Sequence, residues 1–516
     1  MTSPTTTLAR PAAPEQAAAG LRRNRAPLAS IAVTLAFFFS LWLLDFPKPM
    51  LDDLFYTGAA MNMAKGGDFS NPLLARQGFP SHYFFVYPPL HSYVLFGWLK
   101  IFGINSRSMT GFAMLMIAIT SVSTIIVLRR YKAGIWLELA VPLGAAFALL
   151  EVGLRPDTLG MALTMAGFAL ADWKPKPGIA LACGFLLMFL GGSAAPRVAF
   201  FSMALAACAG YQVWRQAAER EEKRRMIAFA LSAGLLTGFV FLWLIHFQLG
   251  EFLTSFKFHT TRYTLTKVTK GRLLVTFALE HLRILHWPLV LIPLGLLAFL
   301  LGKPKENLSM AGIFTILGIP VAVMTGLIGW GATWWLVLAM LFLGGAALKM
   351  ISIRWRTALT TAIIMVLLVV NRRDFAAVGG ILSRQISSDL GEEATAALAI
   401  HPSAGHGLLI DCWVARYLYD YRLPEGSVDL VFGAPFPGWL PGCTPLPPGT
   451  AEFRAGDVFL AGPLITSHLV QCTYLERDIL KWSPFGISRL AIDRYPRHVY
   501  LIPAECCRGP RKKPLM

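Results

Sequence analysis

Leu51-Asp52-Asp53-Leu54-Phe55-Tyr56-Thr57-Gly58-Ala59-Ala60-Met61-Asn62-Met63-Ala64 sets two adjacent carboxylates directly behind an apolar run, Pro27 to Leu44. At the start of an amphipathic helix such a pair can cap the helix and interact with its dipole. Held beside lipid headgroups, it can equally serve as a general base or ligate a divalent cation. The choice depends on the surroundings, and these are the surroundings of a membrane protein. Of 516 residues, 55% are hydrophobic and 15% are charged, where ordinary soluble proteins carry roughly a quarter charged residues. The apolar mass is clustered in runs near the roughly 18 residues that suggest a bilayer span. This excludes a disordered chain and argues against a soluble multidomain protein. The net charge of +18 would suggest nucleic acid in a soluble protein. Here many Lys and Arg residues sit in short loops between apolar runs, where they report topology, and no nucleic-acid partner is expected.

Residues 1–26 are rich in Ala, Pro and Thr and are expected to form a disordered cytoplasmic tail. No small-residue cleavage site follows the first run, so it reads as an uncleaved span. Further basic clusters are Arg129-Arg130-Tyr131-Lys132, Trp173-Lys174-Pro175-Lys176, Arg215 to Arg225, Lys303-Pro304-Lys305 and Lys349 to Arg356. If all are cytoplasmic, the spans between them pair up, which gives about eleven. Their ranges are 27–44, 108–128, 135–152, 158–172, 178–193, 197–213, 226–247, 284–301, 308–328, 333–348 and 357–371. Pro88 to Gly103 is left over, since counting it would reverse every later loop. It is expected to lie in the outer interface or to re-enter, which is tolerated only when packed on protein. The outer side then holds a first loop, 45–107, a long basic segment, 248–283, and the tail 372–516. The expected organisation is an α-helical polytopic membrane domain over 27–371 and a small outer domain beyond it.

That outer segment changes character. Short β-prone runs, His406 to Asp411, Val428 to Phe432 and Asp457 to Leu460, alternate with Pro/Gly-rich turns and a candidate helix, Val414 to Tyr421. The pattern predicts a small α/β domain over 372–516. Cys412, Cys443, Cys472, Cys506 and Cys507 fall there. An oxidising outer compartment would permit bridges, but spacing fixes no pairing, and isolated thiols are an equal alternative.

A second acidic residue, Asp157 in Leu154-Arg155-Pro156-Asp157-Thr158, stands at the outer end of a span. Ionisable residues there are costly unless paired or hydrated and are functional candidates by default. Arg155 could simply be its partner, or Asp157 could cap the following helix.

These residues together resemble the first periplasmic loop of the integral-membrane GT-C glycosyltransferases. The resemblance is above all to glycosyltransferase family 39, the protein O-mannosyltransferases, and to the lipid A aminoarabinose transferases. The shared pattern is an acidic pair, then Tyr, Met, Gly-Asp and Pro-Pro-Leu. Here it is Asp52-Asp53, Tyr56, Met63, Gly67-Asp68 and Pro88-Pro89-Leu90. Phe102-Gly103, Arg107 and the late-span Asp157 also fall in family order. The resemblance covers about the first 200 residues. It implies a GT-C-like fold whose Pro-Pro helix lies along the membrane surface, in agreement with the charge-derived topology. It implies Asp52 as the base that activates the acceptor or helps to bind a metal, with Asp53 and Asp157 in the same acidic site. A divalent cation between Asp52 and Asp157 is an option the resemblance leaves open. Two departures stand out: the pair is Asp-Asp where Asp-Glu is common, and Tyr87 stands where the aminoarabinose transferases have a Lys near the lipid phosphate. A tyrosine hydroxyl can donate to phosphate but brings no charge.

Positive charge must therefore come from elsewhere. The loop Lys257-Phe258-His259-Thr260-Thr261-Arg262-Tyr263 interleaves basic and aromatic residues, which suits a lipid-linked phosphate or simply an interfacial anchor. Arg155 and Arg197 offer planar forks to phosphate oxygens. Tyr56, Tyr87, Arg155, Arg197, Lys257 and Arg262 are the expected substrate-binding residues. His82 and His91 flank the Pro-Pro motif and read more simply as interfacial hydrogen-bonding groups. The activity implied by the resemblance is sugar transfer from a polyprenyl-phosphate donor to an acceptor hydroxyl at the periplasmic face of a bacterial inner membrane. Transfer needs one base and positive groups on the departing phosphate, which suits an inverting displacement; a retaining route would need a nucleophile as well. The acceptor could be lipopolysaccharide or another lipid, a glycan or a protein, and membrane lipids are further partners. The competing readings are a transporter or flippase of lipid-linked glycans and a non-catalytic scaffold. No inverted repeat or matched pair of broken spans supports the former.

Overall fold

A computed structural model describes residues 14–44, 53–71, 81–131, 153–171, 178–217, 219–263 and 307–324, five strands and a few isolated helical positions. The helices, in chain order, are α1 (Pro14–Leu43), α2 (Asp53–Ala64), α3 (Leu90–Phe102), α4 (Ser106–Arg130) and α5 (Pro156–Ala171). They continue with α6 (Ile179–Ala194), α7 (Pro196–Gln216), α8 (Arg220–Leu244), α9 (Leu249–Tyr263) and α10 (Asn307–Met324). Seven expected spans fall on α1, α4, α5, α6, α7, α8 and α10. The other four, 135–152, 284–301, 333–348 and 357–371, lie outside the described residues apart from isolated helical positions. Among the described residues, α4 and α8 are long and apolar enough to cross a membrane, and Ala29–Leu43 and α6 are shorter apolar helices.

Three segments differ from expectation. Residues 14–26 are helical, not disordered: α1 opens with Pro14 and runs through Glu15 to Ala19, a proline at the first helical position followed by strong helix formers. Residues 249–263, read as part of a basic loop, form α9. Its Phe252 and Phe256 stack with ring centroids 5.7 Å apart, and Phe252 also meets the edge of Phe241 at 5.0 Å. Pro88 to Gly103 resolves into α3, whose 13 residues span only about 20 Å. That is too short to cross a hydrocarbon core of about 30 Å. His91, Ser92, Leu95 and Leu99 bury one face of α3, while Lys100 and Ile101 stay exposed.

Polar contacts sort the helix ends onto two sides. At one end, Trp42 Nε1 of α1 donates to the Arg107 carbonyl of α4 at 3.1 Å. At the other, Arg130 Nη1 of α4 donates to the Ala169 carbonyl near the end of α5 at 2.5 Å. A cation on the last carbonyls of a helix is favoured by its dipole. Asn105 accepts from the Ser108 N–H at 2.8 Å and so caps the start of α4. The tightest crossing is between α5 and α6. A Cβ added at Gly167 would sit 2.6 Å from the Gly184 carbonyl oxygen, and one at Gly160 would sit 2.9 Å from the Gly191 carbonyl oxygen. Small residues let two apolar helices touch backbone to backbone, which is how packing is gained where lipid removes the hydrophobic drive.

The described C-terminal residues are five strands: β1 (Leu408–Asp411), β2 (Val428–Val431), β3 (Val458–Ala461), β4 (Leu475–Asp478) and β5 (His498–Leu501). They form one sheet in the order β2-β1-β3-β5-β4. β1 pairs parallel with β2 and β3, and β5 pairs antiparallel with β3 and β4. The three β-prone runs of the sequence coincide with β1, β2 and β3. The candidate helix 414–421 and Cys412, Cys443, Cys472, Cys506 and Cys507 lie outside the described residues.

Candidate functional site

The site is built where α2 meets the turn leading into α5. Asp53 and Tyr56 are three residues apart on α2 and share a face. Asp53 is fully buried and heads its helix, where the dipole favours a negative charge. Its Oδ1 accepts the backbone N–H of Leu154 at 3.0 Å, a bond that joins residues 101 apart in sequence. Leu154 follows Gly153, whose φ of 62° is open to glycine and strained for other residues. Thr158 Oγ1 donates back to the Gly153 carbonyl at 2.7 Å and closes the turn.

The turn carries Arg155 and Asp157. Arg155 Nη2 donates to the Tyr56 hydroxyl at 3.4 Å, and the guanidinium carbon lies 5.2 Å from the Tyr56 ring centroid, within cation–π range. Tyr87 meets Tyr56 edge-on at 5.0 Å. Arg155 Nε is 3.5 Å from Asp157 Oδ2, with side chains 17% and 2% exposed. Among the described residues, nothing donates a hydrogen bond to either carboxylate oxygen of Asp157, although both are buried. A buried carboxylate held by one ion contact is under-satisfied, and the cost persists in the folded state unless a ligand supplies donors or charge. The first turn of α5, with its helix dipole, tempers that cost.

The structure thus brings together five of the residues picked from sequence: Asp53, Tyr56, Tyr87, Arg155 and Asp157. Asp52 lies outside the described residues. Arg197 is half-buried in the first turn of α7, and Lys257 is exposed on α9. Arg262 is on α9, with its side chain outside the description. Asp157 offers hard oxygen ligands of the kind a divalent cation takes. Among the described residues, however, no three of His, Cys, Asp and Glu are grouped to hold a metal. A cation here would depend on Asp52 and water.

A second polar cluster, at the same end, escaped the sequence reading. Asp68 Oδ2 lies 2.5 Å from His82 Nε2, and Asp68 Oδ1 accepts from Ser70 Oγ at 2.5 Å. The Ser70 hydroxyl, ahead of the His82 imidazole, holds the Asp68 carboxyl below its ordinary range against a desolvation penalty. Asp68 was visible only as part of the Gly-Asp motif and His82 only as an interfacial group. Tyr93, whose phenol is pushed up by burial and by Tyr83, lies 3.1 Å through its hydroxyl from His246 Nε2.

No family model matches the chain, and no curated protein matches it. Solved structures do. The crystal structure of ArnT from Cupriavidus metallidurans bound to undecaprenyl phosphate matches with a TM-score of 0.52 at 13% identity, covering 93% of this chain and 99% of that one. ArnT from the same organism in the apo state gives a TM-score of 0.43 at 15% identity over 93% and 99%. The oligosaccharyltransferase of Archaeoglobus fulgidus, in complex with zinc and sulfate, gives 0.43 at 10% identity over 89% and 72%. The last two likenesses are too slight to build on. The first shows the fold: this chain shares the fold of that ArnT structure over 93% of its length.

Proposed function

We propose that the protein transfers a sugar from a polyprenyl-phosphate-linked donor to an acceptor hydroxyl, with Asp52 as the base. The observation that carries the reading is buried Asp157 paired with half-buried Arg155 beside Tyr56, with neither carboxylate oxygen accepting a hydrogen bond among the described residues. It stands at the acidic pair in a fold whose crystallographic likeness, ArnT, was bound to undecaprenyl phosphate. Arg155 would present its fork to the donor phosphate, and Tyr87 would donate a hydroxyl where it lacks charge. Asp157 would receive a donor hydroxyl, or a divalent cation shared with Asp52. Asp52 would draw the proton from the acceptor as it attacks the anomeric carbon, and the phosphate would leave against Arg155, with Arg197, Lys257 and Arg262 as further positive groups.

Asp53 takes a separate role within this reading. Its carboxylate positions the turn that presents Arg155 and Asp157, and it has no part in proton transfer. The site is assigned to the periplasmic face of a bacterial inner membrane, the sheet of β1 to β5 to a small α/β domain on that face, and the acceptor to an envelope lipid, glycan or protein. Leu231, Leu235, Phe239 and Trp243 are exposed on α8 and provide a surface for acyl chains.

The test is transfer from radiolabelled polyprenyl-phosphate sugars to total envelope acceptor in membranes, wild type against Asp52→Asn at equal expression. Loss of a general base typically costs about 100-fold or more, and that loss is expected. Equal transfer by both proteins would remove Asp52 from the mechanism. A fall in transfer on chelation, restored by added divalent cation, is expected if Asp52 and Asp157 share a metal.

A further inference from the structure

α2 and α8 end in the same way and with different residues. At the end of α2, Gly67 N–H bonds the Asn62 carbonyl and Gly66 N–H bonds the Met63 carbonyl, both at 3.0 Å. At the end of α8, Phe247 N–H bonds the Leu242 carbonyl at 2.8 Å and His246 N–H bonds the Trp243 carbonyl at 3.0 Å. This pair of bonds demands a left-handed residue at its centre, normally glycine. α2 supplies Gly66, with φ 97°; α8 supplies His246, with φ 53°, and leaves Phe247 left-handed too at 59°. Side chains there are strained, and strain of this kind gathers at ligand sites and is held by surrounding structure.

The core does not require this histidine. Leu244 and Ile245 are buried and anchor the turn, while His246 is exposed. Its ring is held in place on two sides: Nε2 lies 3.1 Å from the Tyr93 hydroxyl, and the ring faces Tyr83 at 5.9 Å between centroids. His82 meets the same Tyr83 edge-on at 5.3 Å and pairs with Asp68. The side chains of His82 and Asp68 are 70% and 45% exposed. Phe84, next to Tyr83, packs on Phe55, next to Tyr56, so this surface adjoins the Arg155–Asp157 site.

We propose that His246, Tyr83, His82 and Asp68 form a subsite for a neutral, hydroxyl-rich group, namely a sugar ring of the acceptor. Imidazoles and a carboxylate at the surface exchange hydrogen bonds with vicinal hydroxyls in either direction. The exposed His246 ring, backed by Tyr83, offers a flat face to the C–H side of a pyranose or furanose. An exposed carboxylate repels phosphate, which separates this surface from the donor site. The inference rests on the transferase reading in naming the ligand an acceptor.

His246→Gly tests it, because glycine fits this left-handed backbone better than histidine does. Purified protein in detergent is titrated with the acid-released saccharide of a Gram-negative lipopolysaccharide and, separately, with undecaprenyl phosphate, and its unfolding temperature is measured. Expected are a higher unfolding temperature, at least a tenfold weaker saccharide affinity, and unchanged undecaprenyl phosphate binding; His82→Ala should also weaken the saccharide. A lower unfolding temperature with unchanged saccharide binding would make His246 a structural clamp and overturn the subsite, as would a wild type that binds no saccharide. Failure of wild type to bind undecaprenyl phosphate would instead overturn the donor reading, and the saccharide titration would still report on His246.

Discussion

The start of α5 and its flank solve different problems. Along its side, α5 meets α6 through Gly160, Gly167, Gly184 and Gly191, close enough that an added Cβ would strike backbone. At its start, the same helix carries buried Asp157 beside half-buried Arg155, and among the described residues neither Asp157 carboxylate oxygen accepts a hydrogen bond. The crossing is optimised for shape. The start of the helix keeps a cost that shape alone does not explain, and it keeps it beside Tyr56 and Asp53. The difference teaches where to look for chemistry: if the crossing serves stability and the helix start serves the proposed transfer, substitutions at the two places should separate the two properties.

The largest effect is expected at the helix start. Asp157→Asn should lower transfer by about 100- to 1,000-fold, the range for loss of one preorganised polar group in an active site. The unfolding temperature should fall only slightly, because Arg155 loses its ion partner but stays half-buried against the Tyr56 ring and hydroxyl. Parallel transfer and thermal-unfolding measurements check this, and early melting would make Asp157 structural. The crossing should give the converse. A Cβ at Gly167 lies 2.6 Å from the Gly184 carbonyl oxygen and 2.8 Å from the Met188 nitrogen. Gly167→Ala should then cost about 1–3 kcal/mol, the usual range for overpacking, with transfer per folded molecule unchanged.

A pH-dependent effect, small near neutral pH, belongs to α3, which packs near the helix start and buries another polar group. Among the described residues neither ring nitrogen of His91 has a hydrogen-bond partner, and burial pushes its pKa down to about 3. An unfolded histidine takes up a proton below roughly pH 6.5, and the folded protein does not. Stability should therefore fall as the pH drops from about 6.5 toward 3, by about 1.4 kcal/mol per unit from this group. His91→Leu should flatten that part of the profile, read as the difference between two pH–stability curves.

The sequence indicated the helical body well, since runs such as Ser106 to Arg130 are apolar enough to declare themselves. That Pro88 to Gly103 is no full span followed from sidedness of charge and agrees with the 13 residues of α3, and Asp157 was picked out by the cost of an ionisable group at a span end. What escaped it depends on partners distant in sequence. Nothing in Asp52-Asp53 indicates that Asp53 accepts an N–H from Leu154, 101 residues away. α9 was hidden by its basic residues, although Leu249, Phe252 and Phe256 already had the spacing of one helix face. β4, with the sequence Leu-Glu-Arg-Asp, lacks the alternation that marks a strand and is defined by its pairing with β5. His246 shows its left-handed backbone only once α8 ends there.

The most direct test of the account separates the two members of the acidic pair. Transfer from radiolabelled polyprenyl-phosphate sugars is measured in the same membranes for wild type, Asp52→Asn, Asp53→Asn and Asp53→Ala. An asparagine at 53 keeps an oxygen to accept the Leu154 N–H, whereas alanine does not. The account predicts transfer by wild type, loss in Asp52→Asn, retention in Asp53→Asn and loss in Asp53→Ala. Retained transfer in Asp52→Asn, or loss in Asp53→Asn at equal expression, would contradict it.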